Sequence, residues 1–354
     1  MSRFLSQRFA DLKAYTPGEQ PQDMQYVKLN TNESPFPPSP EVLAAVSEAE
    51  VGKLNLYPDP ECKVLRGKLA DLYGVLPENV FLSNGSDDIL NFFFMAFCDE
   101  SRPVVFPDIT YGFYQVYADL YRLPHTVIPL REDFTLNYKD YCGVNANVVI
   151  ANPNATTGIS ISVAEIEQIL QSNPDYAVLV DEAYVDFGGE SCYRLMNRYD
   201  NLVVCRTFSK SWSMAGARLG YAIGSAGLIE DLNKIKFSTN PYSINRLTML
   251  AGAAAVDSYD YFQKNCSVIA ENRTYTVAKL DKMGFETLPS QANFILTRHP
   301  ETDGNYLYEA LKAKGVLVRH WNQPRIRDYL RVTIGSKEQM DVFLNTLKDI
   351  LKGE

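Results

Sequence analysis

Ala177-Val178-Leu179-Val180-Asp181-Glu182-Ala183-Tyr184 is an apolar run that ends abruptly in two acids. A short run with no polar position, rich in β-branched valine, suits a strand buried on both faces of a parallel sheet. Similar runs lie to either side: Val80-Phe81-Leu82, Val104-Val105-Phe106, Asn147-Val148-Val149-Ile150, Leu202-Val203-Val204 and Gly220-Tyr221-Ala222-Ile223. Helical patterns separate them, including residues 86–98 and 162–171. Strands alternating with helices predict an α/β fold with a doubly wound, mostly parallel sheet.

Outside that region the composition changes. Residues 16–40 are polar and proline-rich, ending Asn32-Glu33-Ser34-Pro35-Phe36-Pro37-Pro38-Ser39-Pro40, which forbids a helix and predicts an extended arm. After Pro241 a long helical region, about 243–283, precedes Ala292-Asn293-Phe294-Ile295-Leu296, a helix at 303–314 and strands at 316–319 and 329–334. The expected organisation is an N-terminal arm over 1–40 that joins the small domain, a large cofactor-binding domain over 41–240, and a smaller α+β domain over 241–354.

Bulk properties narrow the classes. With 354 residues, 46% hydrophobic and 22% charged, the chain reads as an ordinary soluble globular protein, and its net charge of −9 argues against a nucleic-acid partner. The six cysteines are scattered without Cys-x-x-Cys spacing, so neither a disulfide framework nor a zinc site is expected, and a reducing cytoplasm is the natural setting. His125, His299 and His320 lie too far apart in sequence to suggest a metal site. Met1-Ser2-Arg3-Phe4-Leu5-Ser6-Gln7-Arg8 is too polar for a secretory signal, and no segment approaches the roughly 18 apolar residues of a membrane span.

In parallel α/β sheets, ligands bind beyond the carboxyl ends of the strands, and five segments stand there. Lys210, in Thr207-Phe208-Ser209-Lys210-Ser211-Trp212-Ser213 with Arg218 following, sits on a polar turn between a buried strand and glycine-containing chain. A desolvated lysine beside cations loses its proton and becomes a carbonyl nucleophile, which points to a Schiff base with pyridoxal phosphate. Leu82-Ser83-Asn84-Gly85-Ser86-Asp87-Asp88 runs from a strand into a helix. Its free N–H groups are a phosphate site, or Ser86 and Asp87 are a plain helix cap. Asp181 is either the carboxylate that keeps a pyridine nitrogen protonated or an N-cap, and Tyr184 is within reach of the ring's phenolate oxygen. In Pro107-Asp108-Ile109-Thr110-Tyr111-Gly112, Tyr111 either stacks on a flat ring or is a buried structural tyrosine. Ala151-Asn152-Pro153-Asn154-Ala155-Thr156-Thr157-Gly158 is by itself a loop signal.

Taken in order, Asn152 to Gly158, Asp181-Glu182-Ala183-Tyr184, and Ser209-Lys210 with Arg218 resemble the fold-type-I pyridoxal-phosphate aminotransferases. Within these the chain is most similar to the histidinol-phosphate aminotransferase family. Lys28-Leu29-Asn30-Thr31-Asn32-Glu33-Ser34-Pro35, Tyr57-Pro58-Asp59-Pro60 and Val318-Arg319-His320-Trp321-Asn322 through Gly335 extend the likeness over nearly the whole chain. The resemblance implies that Lys210 carries the cofactor, Asp181 pairs with its ring nitrogen, Tyr184 contacts the 3′ oxygen and Tyr111 stacks on the ring. It assigns the cofactor phosphate to Gly85, Ser86, Ser209, Arg218 and, from a partner subunit, Tyr57, and so implies a homodimer. The family usually has Asn where this chain has Ala155. That puts one hydrogen bond to the 3′ oxygen in question, with Tyr184, Asn154 or Asn152 as its replacements.

The implied reaction is a two-stage amino transfer between L-histidinol phosphate and 2-oxoglutarate, with Lys210 as general base. Guanidinium groups bind phosphate and carboxylate alike, so Arg319 and Arg331 are expected to serve both substrates, with Tyr15 and Asn32 lining the site. The rival readings are a threonine-phosphate decarboxylase, an aromatic amino-acid aminotransferase, and a non-catalytic cofactor-binding regulator.

Overall fold

The valines and isoleucines of the apolar runs meet in one seven-stranded sheet, the spine of this computed structural model, which describes residues 5–9 and 11–353. Residues 1–4, part of the polar start that argues against a secretory signal, lie outside the described residues. The strands are β1 (Val27–Lys28), β2 (Val80–Ser83), β3 (Val104–Pro107), β4 (His125–Ile128), β5 (Asn147–Ala151), β6 (Val178–Asp181), β7 (Leu202–Thr207), β8 (Gly220–Gly224), β9 (Glu286–Thr287), β10 (Phe294–Arg298), β11 (Val316–Leu317) and β12 (Leu330–Thr333). The helices are α1 (Pro40–Ala45), α2 (Glu48–Val51), α3 (Lys63–Tyr73), α4 (Ser86–Phe97), α5 (Phe113–Tyr121), α6 (Val163–Ser172), α7 (Ala226–Thr239), α8 (Arg246–Asp257), α9 (Tyr259–Asp281), α10 (Gly304–Ala313) and α11 (Lys337–Lys352).

In the large sheet the order is β2-β8-β7-β6-β5-β3-β4, with β6 at the centre. Val178 pairs with Val148 on one side and Leu202 on the other, and every side chain of β5, β6 and β7 is buried. Full burial on both faces explains why these strands lack the alternation of a half-exposed sheet. Only β8 runs antiparallel to its neighbours, pairing Gly220 with both Ser83 and Thr207. Its reversal leaves the carboxyl ends of β2, β3, β5, β6 and β7 on one rim, where the chemically suggestive segments emerge. The fold class expected from the sequence is the one observed.

Local signals set the helix boundaries. Ser162 caps α6 in a reciprocal capping box with Glu165, and Ser336 does the same for α11 with Gln339. The expected helix over 243–283 divides at Ser258, whose backbone leaves helical geometry and whose hydroxyl donates back to the Ala254 carbonyl, giving α8 and α9. The expected strand at 316–319 shortens to β11, while Arg319 forms an isolated bridge with Arg331.

The remaining strands form two smaller sheets. β12, β10 and β9 are antiparallel, and β1 pairs in parallel with β11 through Val27↔Val316 and Lys28↔Leu317. Leu29 continues that ladder to Leu317, and its carbonyl accepts the N–H of Thr333. The extended arm therefore reaches the sheet rim carrying Asn30, Thr31 and Asn32. No helix among the described residues is long and apolar enough to cross a membrane.

Candidate active site

Two adjoining cavities, of about 310 and 530 Å³, open at this rim and share Thr31, Tyr111, Ala155, Tyr184 and Lys210 in their walls. The smaller is built from strand ends: Asp181 closes β6, Ser209 and Lys210 follow β7, and Ser86 begins α4 after β2.

Asp181 is buried, and the Tyr114 hydroxyl donates to its Oδ2 at 3.0 Å while the Ala183 N–H donates to Oδ1 at 3.1 Å. Burial pushes its carboxyl up to about 6, against the opposing pull of those two donors. Lys210 donates from Nζ to the Thr31 carbonyl at 3.0 Å and lies 5.9 Å from the centre of the Tyr184 ring. Burial first, then Arg331, lowers its ammonium to about 8. An acid raised and a base lowered by burial within one cavity make it a candidate functional site.

The cradle beside them is anion-shaped. Gly85 has φ +83°, and a Cβ there would stand 2.7 Å from Nη2 of Arg218. A Cβ on Gly220 would collide with the Gly85–Ser86 backbone at 2.5 Å. Both glycines thus let Arg218 and the β8 backbone crowd the start of α4; the Gly85 N–H is taken by the Ser83 carbonyl at 2.9 Å, so a phosphate there meets the first-turn N–H groups from Ser86 onward. Arg218 pairs with Asp87 at 2.9 Å, and the other Asp87 oxygen accepts the Tyr111 hydroxyl at 2.8 Å, which fixes that ring over the cavity.

The larger cavity is walled by Tyr15, Asn32, Arg319, Trp321 and Arg331. Tyr15 stacks on Phe113 at 4.3 Å and stands edge-on to Tyr111. Arg319 and Arg331 are directly opposite on an antiparallel bridge, their backbones exchanging bonds of 3.0 and 2.9 Å. Like charges placed so are destabilising, and Trp321 lies within 5.4 Å of both guanidinium groups. Their hydrogen bonds go to carbonyls only: Thr16 and Pro17 for Arg319, Ala155 and Asn30 for Arg331. Neither guanidinium forms a contact ion pair with a carboxylate among the described residues, although Glu19 acts on Arg319 from a distance, so the pair can still take an anion from outside.

The aminotransferase class I and II family model matches residues 24–347. A histidinol-phosphate aminotransferase of Brachyspira hyodysenteriae is 46% identical over 353 residues, covering 99% of this chain and 100% of that protein. Histidinol-phosphate aminotransferase 2 of Dechloromonas aromatica is 47% identical, covering 99% of each. The chain belongs to the histidinol-phosphate aminotransferase family. Among solved structures, the Sinorhizobium meliloti histidinol-phosphate aminotransferase in complex with pyridoxal-5'-phosphate superposes with a TM-score of 0.85 at 24% identity, over 93% of this chain and 92% of that one. L-threonine-O-3-phosphate decarboxylase from Porphyromonas gingivalis gives 0.80 at 22%, over 92% and 99%. Those two likenesses carry the fold and do not choose between the chemistries.

Pyridoxal phosphate is the cofactor of this aminotransferase family, and the residues present fit it: a desolvated amine, a buried carboxylate with no cation against it, an aromatic face and a glycine-lined anion cradle. Not every residue singled out from the sequence faces the cavities. Asn152 exchanges two bonds with the Ile161 backbone, and Asn154 donates to the Ile109 carbonyl and to Thr157, so both amides brace loops. Tyr57 is 80% exposed, stacks on Tyr242 at 4.6 Å and lines neither cavity within its own chain. Conversely, sequence pattern alone does not reach Tyr114 or the Thr31 carbonyl, and it offers Asp87 only as a helix cap. Tyr114 carries a signal as a second tyrosine three residues after Tyr111, at the start of α5; the Thr31 carbonyl carries none.

Proposed function

We propose that the chain transfers an amino group between L-histidinol phosphate and 2-oxoglutarate, giving imidazole-acetol phosphate and L-glutamate, with pyridoxal phosphate as cofactor. The observation that carries the substrate class is the cross-strand pair Arg319 and Arg331, neither in a contact ion pair with a carboxylate among the described residues, in the wall of a cavity that Lys210 also lines. A phosphorylated amine and a dicarboxylate alternate in that cavity, and paired guanidinium groups bind either anion.

When bound, pyridoxal phosphate supplies a carbonyl carbon for amines and a ring that takes up electron density. Lys210, lowered to about 8, is partly neutral near physiological pH and able to act as nucleophile and then as base. Its Nζ would hold the proton taken from the substrate carbon and pass it to the carbonyl-derived carbon of the cofactor. Asp181 gains a cationic partner in the protonated ring nitrogen, which reverses the effect of its burial. Gly85, Ser86, Ser209 and Arg218 hold the phosphate, Tyr111 covers the ring, and Tyr184 addresses its 3′ oxygen.

The reading includes a cytoplasmic homodimer in which Tyr57 completes the partner's phosphate site. Leu43, Leu54, Leu56, Tyr57 and Val64, all more than half exposed, support it as a stretch of chain unusually rich in uncovered apolar side chains. The arm over 1–40 is taken to join a small domain over 241–354, with a large domain over 41–240, a division supported by the β1–β11 pairing.

A spectrophotometric half-reaction tests the main reading. Histidinol phosphate should abolish the visible band of the lysine-bound cofactor, and 2-oxoglutarate should restore it, whereas threonine phosphate and phenylalanine leave it unchanged. A response to threonine phosphate with release of carbon dioxide would establish the decarboxylase instead, and a response to phenylalanine the aromatic aminotransferase.

A further inference from the structure

Asn32 is 1% exposed and holds φ +56°, a left-handed backbone that asparagine tolerates better than most residues. That conformation is held on three sides. Its N–H donates to Oγ1 of Thr333 at 3.0 Å, its carbonyl accepts the Asn293 amide at 3.1 Å, and Thr333 donates its hydroxyl proton to Oδ1 at 3.0 Å. The remaining amide group, Nδ2, stands 3.1 Å from the Tyr184 hydroxyl.

The direction of these bonds follows from counting protons. The Asn32 N–H can only donate, so it occupies an acceptor site of the Thr333 hydroxyl, whose single proton remains for Oδ1. A reversed amide would point a second donor at that hydroxyl and leave its proton without a partner in a buried site, which is costly. Nδ2 therefore faces Tyr184 and must donate. The Tyr184 oxygen accepts, its own proton is left over, and no other hydrogen bond involves that hydroxyl among the described residues. Tyr184 lines both cavities, so the proton has only the cavity to enter.

We propose that Thr333 and Asn32 form a relay that fixes the polarity of Tyr184, making its hydroxyl a donor into the cofactor cavity, with Asn32 as the positioning residue. The proposal rests on the cofactor reading above. It assigns to the arm and to β12 a part in tuning the ring oxygen. It also ties cofactor to substrate, because Arg331 lies on β12 two residues before Thr333 and bonds the carbonyl of Asn30 on the arm. Burial raises Tyr184 above an ordinary phenol, and Arg331 and the Asn32 amide oppose that rise while Asp181 and Asp87 add to it. Lys210 also faces the ring.

The test is a pH titration of the bound cofactor's visible absorbance in the holoenzyme. A donor aimed at the ring oxygen holds negative charge there and makes the adjacent lysine nitrogen easier to deprotonate, so losing the donor raises the midpoint. Asn32→Asp keeps the shape but accepts the Tyr184 proton, and Thr333→Val frees the amide to turn. Each should raise the midpoint, by roughly 0.5 to 1 pH unit for a hydrogen bond of ordinary strength. Thr333→Ser should titrate as the parent. Neither Asn32→Asp nor Thr333→Val should move the midpoint further in a Tyr184→Phe background, which separates the relay from the new charge of Asp. An unmoved midpoint, or one that moves equally without the Tyr184 hydroxyl, overturns the relay. If Asn32→Asp does not fold, the Thr333 pair decides alone. A parent protein with no visible cofactor band would overturn the cofactor reading instead.

Discussion

Asp181 is a carboxylate whose environment makes sense only with a cation against it. Its raised value means that folding shifts it toward the neutral acid relative to an exposed carboxylate. Its contribution to stability is therefore full below the ordinary 3.8 and lost as pH rises through about 6. Cofactor binding has the opposite demand, since a protonated ring nitrogen pairs only with the charged form. Affinity for pyridoxal phosphate should fall as pH drops through about 6. Tyr114 sets where that window lies, because its hydroxyl is the strongest influence holding the value down against burial. Tyr114→Phe should weaken cofactor binding at pH 7 by roughly 5- to 10-fold, the worth of one buried hydrogen bond, and move the loss of affinity to higher pH. Equilibrium titration of cofactor fluorescence across pH 5–8 checks both. An unshifted pH window would mean that Tyr114 merely fills space.

At the scale of elements, the strand ends carry the site, and a clasp holds the anion-binding wall above them. Arg325 donates to Asp108 at 2.9 Å, just past β3, and to the Leu130 and Arg131 carbonyls at 3.0 and 2.6 Å, just past β4. Ile326 and Tyr329 pack beside it with Ile109, Leu130 and Phe134 in a small apolar cluster. Arg325→Met should cost about 1–3 kcal/mol in denaturant unfolding and raise KM for both substrates more than it lowers kcat; equal effects on both constants would count against a role in placing Arg319 and Arg331. The sequence foretold these elements unevenly, for physical reasons. β5, β6 and β7 are buried on both faces and announce themselves as apolar runs, and position at their ends singles out Lys210 and Asp181, the latter with a helix cap as its rival, whereas Ser209 enters only through the family resemblance. β4 pairs only with β3, at the sheet edge, with His125 and Thr126 in it, and lacks that signature. The partners of the site are harder still. Tyr114 reaches Asp181, Arg218 reaches Asp87 and Lys210 reaches Thr31 across 67, 131 and 179 residues, and local pattern carries nothing about such contacts. Asn152 shows the converse: its side chain is suited to a ligand, but its amide is spent on the Ile161 backbone, while Asn154 commits its Nδ2 to Ile109 and Thr157 and leaves Oδ1 buried without a partner among the described residues.

For the whole molecule, the decisive question is whether one chain makes a complete site. Tyr57 lines neither cavity of its own chain, and its neighbours Leu54 and Leu56 are more than half exposed. In a homodimer with shared sites, each site joins Lys210 of one subunit to a tyrosine from the other. Tyr57→Phe alone should then weaken cofactor binding at both sites, by roughly the few-fold to 10-fold of one lost hydrogen bond to a charged phosphate. Lys210→Ala alone should abolish activity. Mixing the two variants under conditions of subunit exchange separates the geometries. If sites are shared, a mixed dimer places both lesions in one site and leaves the other with intact Lys210 and Tyr57, so half the parent activity returns with the parent's cofactor affinity. Were Tyr57 to act within its own chain, the surviving site would carry the Tyr57→Phe lesion and keep the weakened affinity. Activity measured against cofactor concentration in the mixture distinguishes these, because the apparent affinity of the active sites, and not their number, reports which chain supplies the tyrosine.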